Sequence, residues 1–257
     1  MKNGPALRIL DPNEQEGASC AMAKKGVWIC LLAVLAALCL SGGEALPADG
    51  GAVIPAGEKY VALTFDDGPR RGTTDRLLDG LKQRDVAATF FLIGQQIEDN
   101  ADLVTRMAEE GHQIGNHTWS HQRLDGAPAA VVEEEVGRTE RALEALVGGG
   151  PYWLRPPYGQ VTPGTEADFG VPMVKWSVDP RDWESRDTGK VTQAILEYVK
   201  PGSIILLHDI YPTSVDAALK VVDTLAAEGY WFVTVEELLW LNGVTPEAGR
   251  IYRTGAG

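Results

Sequence analysis

Short apolar runs alternate with amphipathic stretches along the chain from residue 60 onward. Runs rich in β-branched and aromatic residues predict strands over 60–65, 88–93, 112–116, 152–155, 172–178, 203–207 and 230–235. Apolar residues at three- and four-residue spacing predict helices over 75–84, 101–110, 128–147, 188–199 and 215–228. Because nearly continuous apolar strands alternate with helices, the pattern predicts an α/β domain with a parallel sheet covered by helices.

Both a barrel and an open doubly wound sheet fit this order of elements. No Gly-x-Gly-x-x-Gly follows the first strand, and the glycines at 148–150 end a helix rather than open one, so a dinucleotide site is not expected. We therefore favour an irregular barrel. No linker or internal repeat divides residues 49–257, which predicts a single domain with a core over about 59–240.

The first fifty residues differ from the rest of the chain. An apolar run over 27–40 follows a basic start at 22–26 and precedes small residues, which is the three-part pattern of a secretory signal. We expect residues 22–48 to be a signal peptide, with an uncleaved membrane anchor as the alternative, and residues 1–21 to be an over-long start or an unstructured leader. The protein is then exported: secreted, periplasmic or associated with the cell wall.

The amino-acid composition excludes some kinds of chemistry and some classes of binding partner. The three cysteines, Cys20, Cys30 and Cys39, all lie in the leader, so the exported chain is predicted to have no disulfide and no thiolate chemistry. The formal net charge of −13 disfavours a protein that tracks nucleic-acid phosphates. We expect a neutral or small-molecule partner, no nucleic acid, and membrane contact only through the N-terminal segment.

Polar residues cluster where five of the predicted strands end. The clusters are Asp66-Asp67, 117–121, 155–159, 179–183 and His208-Asp209. In parallel α/β architectures the functional residues lie just past the carboxyl ends of the strands. The five clusters are therefore predicted to converge on one mouth.

His117 and His121 are spaced so that one helical turn would place both imidazoles on the same face, able to hold one metal ion. Alone, such a pair is more often a solvated surface pair. The chain has only four histidines, however, and three of them fall in these clusters beside a carboxylate pair. Two histidines and one carboxylate leave coordination positions open, which favours a catalytic metal, and the second carboxylate can then take a proton from water. A simple turn remains the alternative for Asp66-Asp67-Gly68-Pro69.

Five segments resemble, in order and approximate spacing, the motifs of the polysaccharide deacetylase family (carbohydrate esterase family 4, with chitooligosaccharide deacetylase homology). They are TFDDGP at 64–69, HTWSH at 117–121, RPPY at 155–158, DPRDW at 179–183 and LLH at 206–208. The resemblance covers about residues 59–239. It implies a distorted (β/α) barrel, here of about seven parallel strands, and a metal-dependent hydrolase that removes acetyl groups from N-acetylglucosamine units.

Carried over by position, the resemblance implies one divalent metal ion held by Asp67, His117 and His121. We expect Zn, with Co, Mn or Ni as alternatives. Asp66 would be the general base, and Arg155 would pair with it and keep it ionised.

The resemblance also implies a second set of roles around the substrate. The backbone N–H of Tyr158 would stabilise the oxyanion, and His208 would be the general acid. Asp182 would keep His208 charged and oriented. Trp183 and Leu206 would line a small apolar pocket for the acetyl methyl group.

These features predict an exported N-deacetylase of a cell-wall glycan, with the N-acetylglucosamine of peptidoglycan as the expected substrate. Deacetylation of chitin or chitooligosaccharides and O-deacetylation of xylan are alternatives within the same fold. A two-histidine, one-carboxylate Fe(II) oxygenase is an alternative enzyme class. A non-catalytic glycan-binding module is a further alternative, since seven tryptophans could stack on sugars.

Overall fold

The computed structural model describes residues 59–256, so the predicted leader and signal segment lie outside the described residues. Within residues 59–256, no helix combines the length and the apolar composition that crossing a membrane requires. Seven strands and eight α-helices follow one another in this range. The strands are β1 Lys59–Asp66, β2 Thr89–Leu92, β3 Gln113–Asn116, β4 Met173–Val174, β5 Ile204–His208, β6 Tyr230–Phe232 and β7 Ile251–Tyr252.

The long helices lie where apolar residues recur at helical spacing. The α-helices are α1 Thr74–Lys82, α2 Gly94–Ile97, α3 Ala101–Glu109, α4 Ala129–Val147, α5 Asp182–Ser185, α6 Thr188–Tyr198, α7 Pro212–Ala227 and α8 Val235–Leu241. All five predicted helices are confirmed, as α1, α3, α4, α6 and α7. The three that the sequence analysis missed, α2, α5 and α8, have four, four and seven residues and are too short to show a helical period.

The strands pair in parallel, as predicted. The main sheet has the order β3-β2-β1-β5, with β6 paired to the first residues of β1. Single parallel bridges then extend the pairing from Asn116 to Leu154, from Leu154 to Met173 and from Val178 to Ile205. These bridges lead from β3 through β4 back to β5, which confirms the distorted barrel.

Two of the predicted strands are corrected by the structure. Residues 152–155 form no strand, because only Leu154 bridges its neighbours, and 172–178 shrinks to the two residues of β4. Prolines at 151, 156, 157 and 172 surround these positions, and each removes a backbone donor from the sheet. The short β7, which pairs with β4 and buries Tyr252, extends the packed domain beyond the core predicted over 59–240.

Strand β1 lies at the centre of the domain, and its side chains alternate between two cores. Leu63 and Phe65 pack in the larger cluster with side chains of the surrounding helices. Tyr60 and Ala62 pack in a second cluster, which includes Tyr252. Because successive residues of a strand point to opposite faces, this double burial fixes the register of β1 and places Asp66 at its carboxyl end.

Candidate active site

The polar clusters predicted at the strand ends meet at one edge of the barrel. Asp66 is the last residue of β1, His208 is the last residue of β5, and His117 follows β3 directly. In the parallel register of β1 and β5, Asp66 is paired with His208. Register partners on neighbouring parallel strands point to the same face of a sheet, so the two side chains share one side of the mouth.

Asp66 forms a buried ion pair with Arg155. Asp66 Oδ1 lies 2.7 Å from Arg155 Nη1, and Arg155 is completely buried. The same Nη1 donates to Thr64 Oγ1 at 2.7 Å, while Nη2 and Nε donate to the carbonyls of Lys175 and Val174. Burial lowers the pKa of Arg155, and the charge of Asp66 opposes that shift. The guanidinium is thus held in one orientation that keeps a positive charge beside Asp66.

Asp67, His117 and His121 form a candidate metal centre. Their ligand atoms all lie within 4.8 Å of one another. His117 Nε2 is 3.6 Å and His121 Nε2 is 3.4 Å from Asp67 Oδ1, which is buried and has no hydrogen-bond partner among the described residues. A buried carboxylate oxygen without a donor is costly unless a cation satisfies it, so the three residues fit a divalent metal ion.

The surroundings of the two imidazoles orient them for metal binding. His117 Nδ1 lies 2.6 Å from the carbonyl oxygen of Arg155, so Nδ1 carries the proton and Nε2 is left as the ligand atom. Burial, together with the neighbouring His117, lowers the pKa of His121 and favours its neutral form. Metal-binding histidines must be neutral at the ligating nitrogen, and the surroundings of His121 favour that form.

The segment 117–121 is not the helical turn that the histidine spacing predicts. It is an irregular loop in which Thr118 and His121 adopt left-handed backbone conformations, with φ of 68° and 63°. Asn116 Oδ1 accepts the Thr118 N–H at 2.9 Å, and the Thr118 carbonyl accepts the Gly94 N–H. Tertiary hydrogen bonds, rather than helical periodicity, bring the two rings to a centroid distance of 4.9 Å.

Glu135 of α4 supports this loop, and the sequence analysis did not single it out. The residue is 6% exposed, and its carboxylate is paired with one residue of the loop: Oε2 accepts the Ser120 N–H at 2.8 Å and Oε1 accepts the Ser120 hydroxyl at 2.7 Å. The buried side chains of α4 are Glu135, Thr139 and Leu143, which lie four residues apart along one face. A glutamate in the buried stripe of an amphipathic helix is the signal that could have identified it.

His208 is held by Asp182, the first residue of α5. Asp182 Oδ1 lies 2.8 Å from His208 Nδ1, while Oδ2 accepts the His208 backbone N–H at 2.8 Å and the Ser214 hydroxyl at 2.6 Å. Burial disfavours the imidazolium, but the hydrogen bond and charge of Asp182, with the charges of Asp66 and Asp67, raise the pKa of His208 to about 9. The surroundings of His208 therefore favour its protonated form.

A second buried carboxylate, Asp209, lies behind the loop that carries Asp67. Its Oδ2 accepts a short hydrogen bond from the Thr74 hydroxyl, and a Cβ atom added to Gly68 would lie 2.5 Å from its Oδ1. Burial, followed by the charge of Asp67, raises the pKa of Asp209 to about 7. The sequence analysis placed Asp209 at the mouth but assigned it no role. The structure shows that it packs against the turn after Asp67.

The three predicted substrate contacts differ in exposure. Tyr158 is 56% exposed and Trp183 is 43% exposed, whereas Leu206 is buried in β5, two residues before His208. The Tyr158 ring lies 4.9 Å from the His121 ring, and its backbone is left-handed with φ of 58°. Beside the candidate metal centre is an open cleft of about 430 Å³. It is lined by Asp67, Arg70, Ile93, Gln96, His121 and Ile210.

A family model described as polysaccharide deacetylase matches residues 54–172. This range contains the candidate metal ligands and ends before Asp182 and His208. A peptidoglycan-N-acetylglucosamine deacetylase of Bacillus cereus is 40% identical over 193 residues, which make up 72% of this chain and 70% of that protein. The chain belongs to the polysaccharide deacetylase family. The family predicted from the five motifs is thereby confirmed.

Two further similarities place this polysaccharide deacetylase family member among known proteins. The peptidoglycan-N-acetylglucosamine deacetylase PgdA of Listeria monocytogenes is 41% identical over 180 residues, which make up 70% of this chain. The chain matches only 39% of the length of that relative. A solved structure described as T48 deacetylase with substrate has 41% identity and a TM-score of 0.72, and the match covers 76% of this chain and 96% of that one.

Proposed function

We propose that this protein is a metal-dependent hydrolase that removes N-acetyl groups from N-acetylglucosamine units of peptidoglycan. The observation that carries the proposal is the register pairing of Asp66 with His208 beside the Asp67, His117 and His121 cluster. This arrangement brings together, at the same mouth, a carboxylate that is ion-paired with Arg155 and an imidazole whose protonated form is stabilised. Amide hydrolysis needs such a base and acid together.

Asp66 is the proposed general base. Arg155 forms an ion pair with one of its oxygens at 2.7 Å, which leaves the other oxygen to accept a proton from the attacking water. That second oxygen, Oδ2, lies 3.6 Å from His117 Nε2 and therefore borders the candidate metal centre. This contact supports the proposed role of Asp66 as the base.

Asp67, His117 and His121 would hold the metal ion, which we propose to be Zn²⁺. When bound, a divalent cation supplies Lewis-acid chemistry that polarises a carbonyl and lowers the pKa of water. The backbone N–H of Tyr158, beside His121, is the proposed donor to the oxyanion that develops as water adds to the acetamide carbon. Trp183 and Leu206 are proposed to border the acetyl methyl group.

His208 is the proposed general acid. Asp182 fixes its Nδ1, so the proton that leaves the ring comes from Nε2 and passes to the departing nitrogen. The C–N bond then breaks, and the products are acetate and a free glucosamine amine. A water attack of this kind requires no covalent intermediate on the protein.

We also propose that residues 22–48 direct the protein out of the cytoplasm, because a cell-wall substrate requires export. The basic start, apolar run and small residues of this segment support the proposal. Sequencing the N-terminus of the protein recovered from the culture medium or cell wall would test it. A mature N-terminus near residue 49 is expected, and an intact N-terminus at residue 1 or 22 would contradict cleavage.

Acetate release from peptidoglycan, chitooligosaccharides and acetylated xylan tests the proposed activity. We expect release from peptidoglycan, its loss after chelation, and its recovery when Zn²⁺ is restored. His117→Ala should lose both the bound metal, measured by elemental analysis, and the activity. Undiminished metal content in this variant would remove His117 from the ligand set, and activity confined to xylan would contradict the proposed substrate.

A further inference from the structure

Two arginines flank the segment that follows β5 at the edge of the mouth. Arg70 Nη1 donates to the Ile210 carbonyl at 3.3 Å. The guanidinium carbon of Arg186 lies 3.5 Å from the centre of the Tyr211 ring. Because Ile210 and Tyr211 are adjacent in the chain, these two side chains, the arginine pair, approach the same short segment from two different loops.

The arginine pair lies beside the groups proposed to do the chemistry. Arg70 lines the cleft that also contains Asp67 and His121. The Tyr211 ring, on which Arg186 stacks, has its centre 6.3 Å from that of the His208 ring. One arginine is therefore next to the candidate metal centre, and the other is one aromatic ring away from the proposed acid.

Neither member of the pair has a carboxylate partner among the residues that the structure describes. Within residues 59–256 each guanidinium makes one hydrogen bond, Arg70 to the Ile210 carbonyl and Arg186 Nε to the Trp183 carbonyl at 2.7 Å. Two arginines close to Arg70 in the sequence do have carboxylate partners: Arg71 pairs with Asp102, and Arg76 pairs with Asp216. The arginine pair thus retains free N–H donors at the mouth, and both side chains are exposed.

The backbone of Arg186 adopts a left-handed conformation, with φ of 47° and ψ of 31°, at the end of α5. This conformation is unfavourable for a residue with a Cβ atom. Together with the Nε hydrogen bond, it directs the guanidinium onto Tyr211. Arg186 is thus oriented before any ligand arrives, which reduces the entropy that binding must overcome.

The charge of the surroundings defines which ligand the pair would attract. The chain has a formal net charge of −13. An anionic group on a substrate is therefore drawn to the surface of this protein only where positive charge is concentrated, as it is at the arginine pair. An arginine guanidinium presents several N–H donors in a planar fork that matches a carboxylate, and a carboxylate is the anion that the substrate of the proposed function carries.

We propose that Arg70 and Arg186 form a carboxylate-binding subsite that selects acidic glycans over neutral ones. The proposal rests on the proposed deacetylase function. In peptidoglycan a carboxylate is available from two sources close to each N-acetylglucosamine unit: the lactyl ether of the neighbouring sugar and the peptide attached to it. Chitin and its oligosaccharides have neither group, so the subsite would distinguish the two polymers.

The test compares three glycans of equal length: neutral chitotetraose, a lactyl-bearing tetrasaccharide without peptide, and the same tetrasaccharide with its peptide. We expect Arg70→Gln and Arg186→Gln each to lower kcat/KM about tenfold on a carboxylate-bearing glycan, mainly by raising KM, since a lost charge-assisted hydrogen bond weakens binding. A lower kcat/KM on both acidic glycans identifies the lactyl carboxylate as the ligand. A lower kcat/KM on the peptide-bearing tetrasaccharide alone identifies the peptide carboxylates as the ligand.

Arg71→Gln and Arg76→Gln are matched controls, because both side chains are exposed, close in sequence and already paired with carboxylates. They should leave kcat/KM on all three glycans within about twofold, as surface ion pairs contribute little. The subsite would be overturned if Arg70→Gln and Arg186→Gln lowered kcat/KM equally on chitotetraose and on the acidic glycans. It would also be overturned if they lowered kcat/KM on none of the three.

The same assays separate failure of the subsite from failure of the proposed function. The variants could prefer acidic over neutral glycans as strongly as the unmodified protein does, while the unmodified protein still deacetylates peptidoglycan fragments. That result would overturn the subsite alone. An unmodified protein that releases acetate from none of the glycans would overturn the proposed function as well. Arg70→Lys and Arg186→Lys should restore part of the preference for acidic glycans, because they keep the charge and lose the fork.

Discussion

Asp182 holds His208 at two points: one carboxylate oxygen lies 2.8 Å from the ring Nδ1, and the other accepts the backbone N–H of the same residue at 2.8 Å. The carboxylate therefore fixes both the orientation of the imidazole and the position of the strand end that carries it. Because Asp182 is completely buried, this contact is not weakened by solvent. The arrangement accounts for the raised pKa of His208, and the variants below test it.

Asp182→Asn is expected to move the alkaline limit of activity toward lower pH. In the unmodified protein the pKa of His208 is raised to about 9, so the imidazolium is present below that pH and is lost as pH rises through it. Asparagine removes the charge that opposes the effect of burial, so the proton is lost at lower pH. The pH profile of kcat measures this shift. Ser214→Ala, which keeps the charge, should move the limit less, and an unchanged limit in Asp182→Asn would remove Asp182 from this role.

Asp66→Asn is expected to separate metal binding from proton transfer. Its Oδ1 pairs with Arg155, and the assigned ligands are Asp67, His117 and His121, so the variant should retain its metal. Loss of the proposed base should lower kcat on the order of 10²-fold to 10⁴-fold. Elemental analysis and acetate release on the same sample measure the two effects. Substantial turnover in this variant would require a different base.

Glu135→Ala is expected to weaken metal binding without removing a metal ligand. Both carboxylate oxygens of Glu135 hold Ser120, within the loop that carries His117 and His121. Loss of a group that orients metal ligands typically weakens affinity about 10-fold to 100-fold. Zinc titration of the metal-free protein measures the change, and thermal unfolding of the same metal-free sample measures stability separately.

Glu134→Gln is the matched control for Glu135, because Glu134 is the adjacent residue of α4 and, within the described part of the chain, forms only an exposed pair with Arg138. Its zinc affinity should equal that of the unmodified protein. Glu135→Gln should fall between the control and Glu135→Ala, since its amide oxygen can still accept one of the two hydrogen bonds. If Glu135→Ala lowers the unfolding temperature but leaves zinc affinity unchanged, Glu135 is important only for folding.

Gly68→Ala is expected to displace the turn that positions Asp67. The added methyl group would lie 2.5 Å from Asp209 Oδ1, and the hydrogen bond from Thr74 to the other oxygen limits how far that carboxylate can move. Overpacking of this kind costs about 1–3 kcal/mol of unfolding free energy. Chemical denaturation and zinc titration should both show a loss.

Gly137→Ala is the corresponding control for Gly68→Ala. Gly137 lies inside α4, and the nearest atom to an added Cβ is the flexible end of the Arg141 side chain at 3.2 Å. Alanine favours a helix over glycine by about 1 kcal/mol, so this variant should be as stable as the unmodified protein or more stable. A Gly68→Ala protein with unchanged stability and zinc affinity would show that the turn adapts to the methyl group.

The periodic pattern of the sequence predicted the long elements and failed at the short ones. The nineteen residues of α4 contain several turns, so their apolar spacing could be read directly. Residues 152–155 look like a strand, but Leu154 alone bridges its neighbours because prolines on both sides limit backbone pairing. Strand β7 has only two residues, too few to show an alternation of apolar and polar side chains.

The sequence by itself determined the parallel α/β fold, the family, and which residue types meet at the mouth, because strand and helix periods and the five motifs are local properties. Only the tertiary structure decided how those residues are oriented. The loop at 117–121 is shaped by contacts with Asn116, α2 and Glu135 rather than by a helical turn. The partners of Asp209 and the free donors of Arg70 and Arg186 likewise depend on residues distant in sequence. Local pattern does not encode such contacts, since they form only when separate elements pack together.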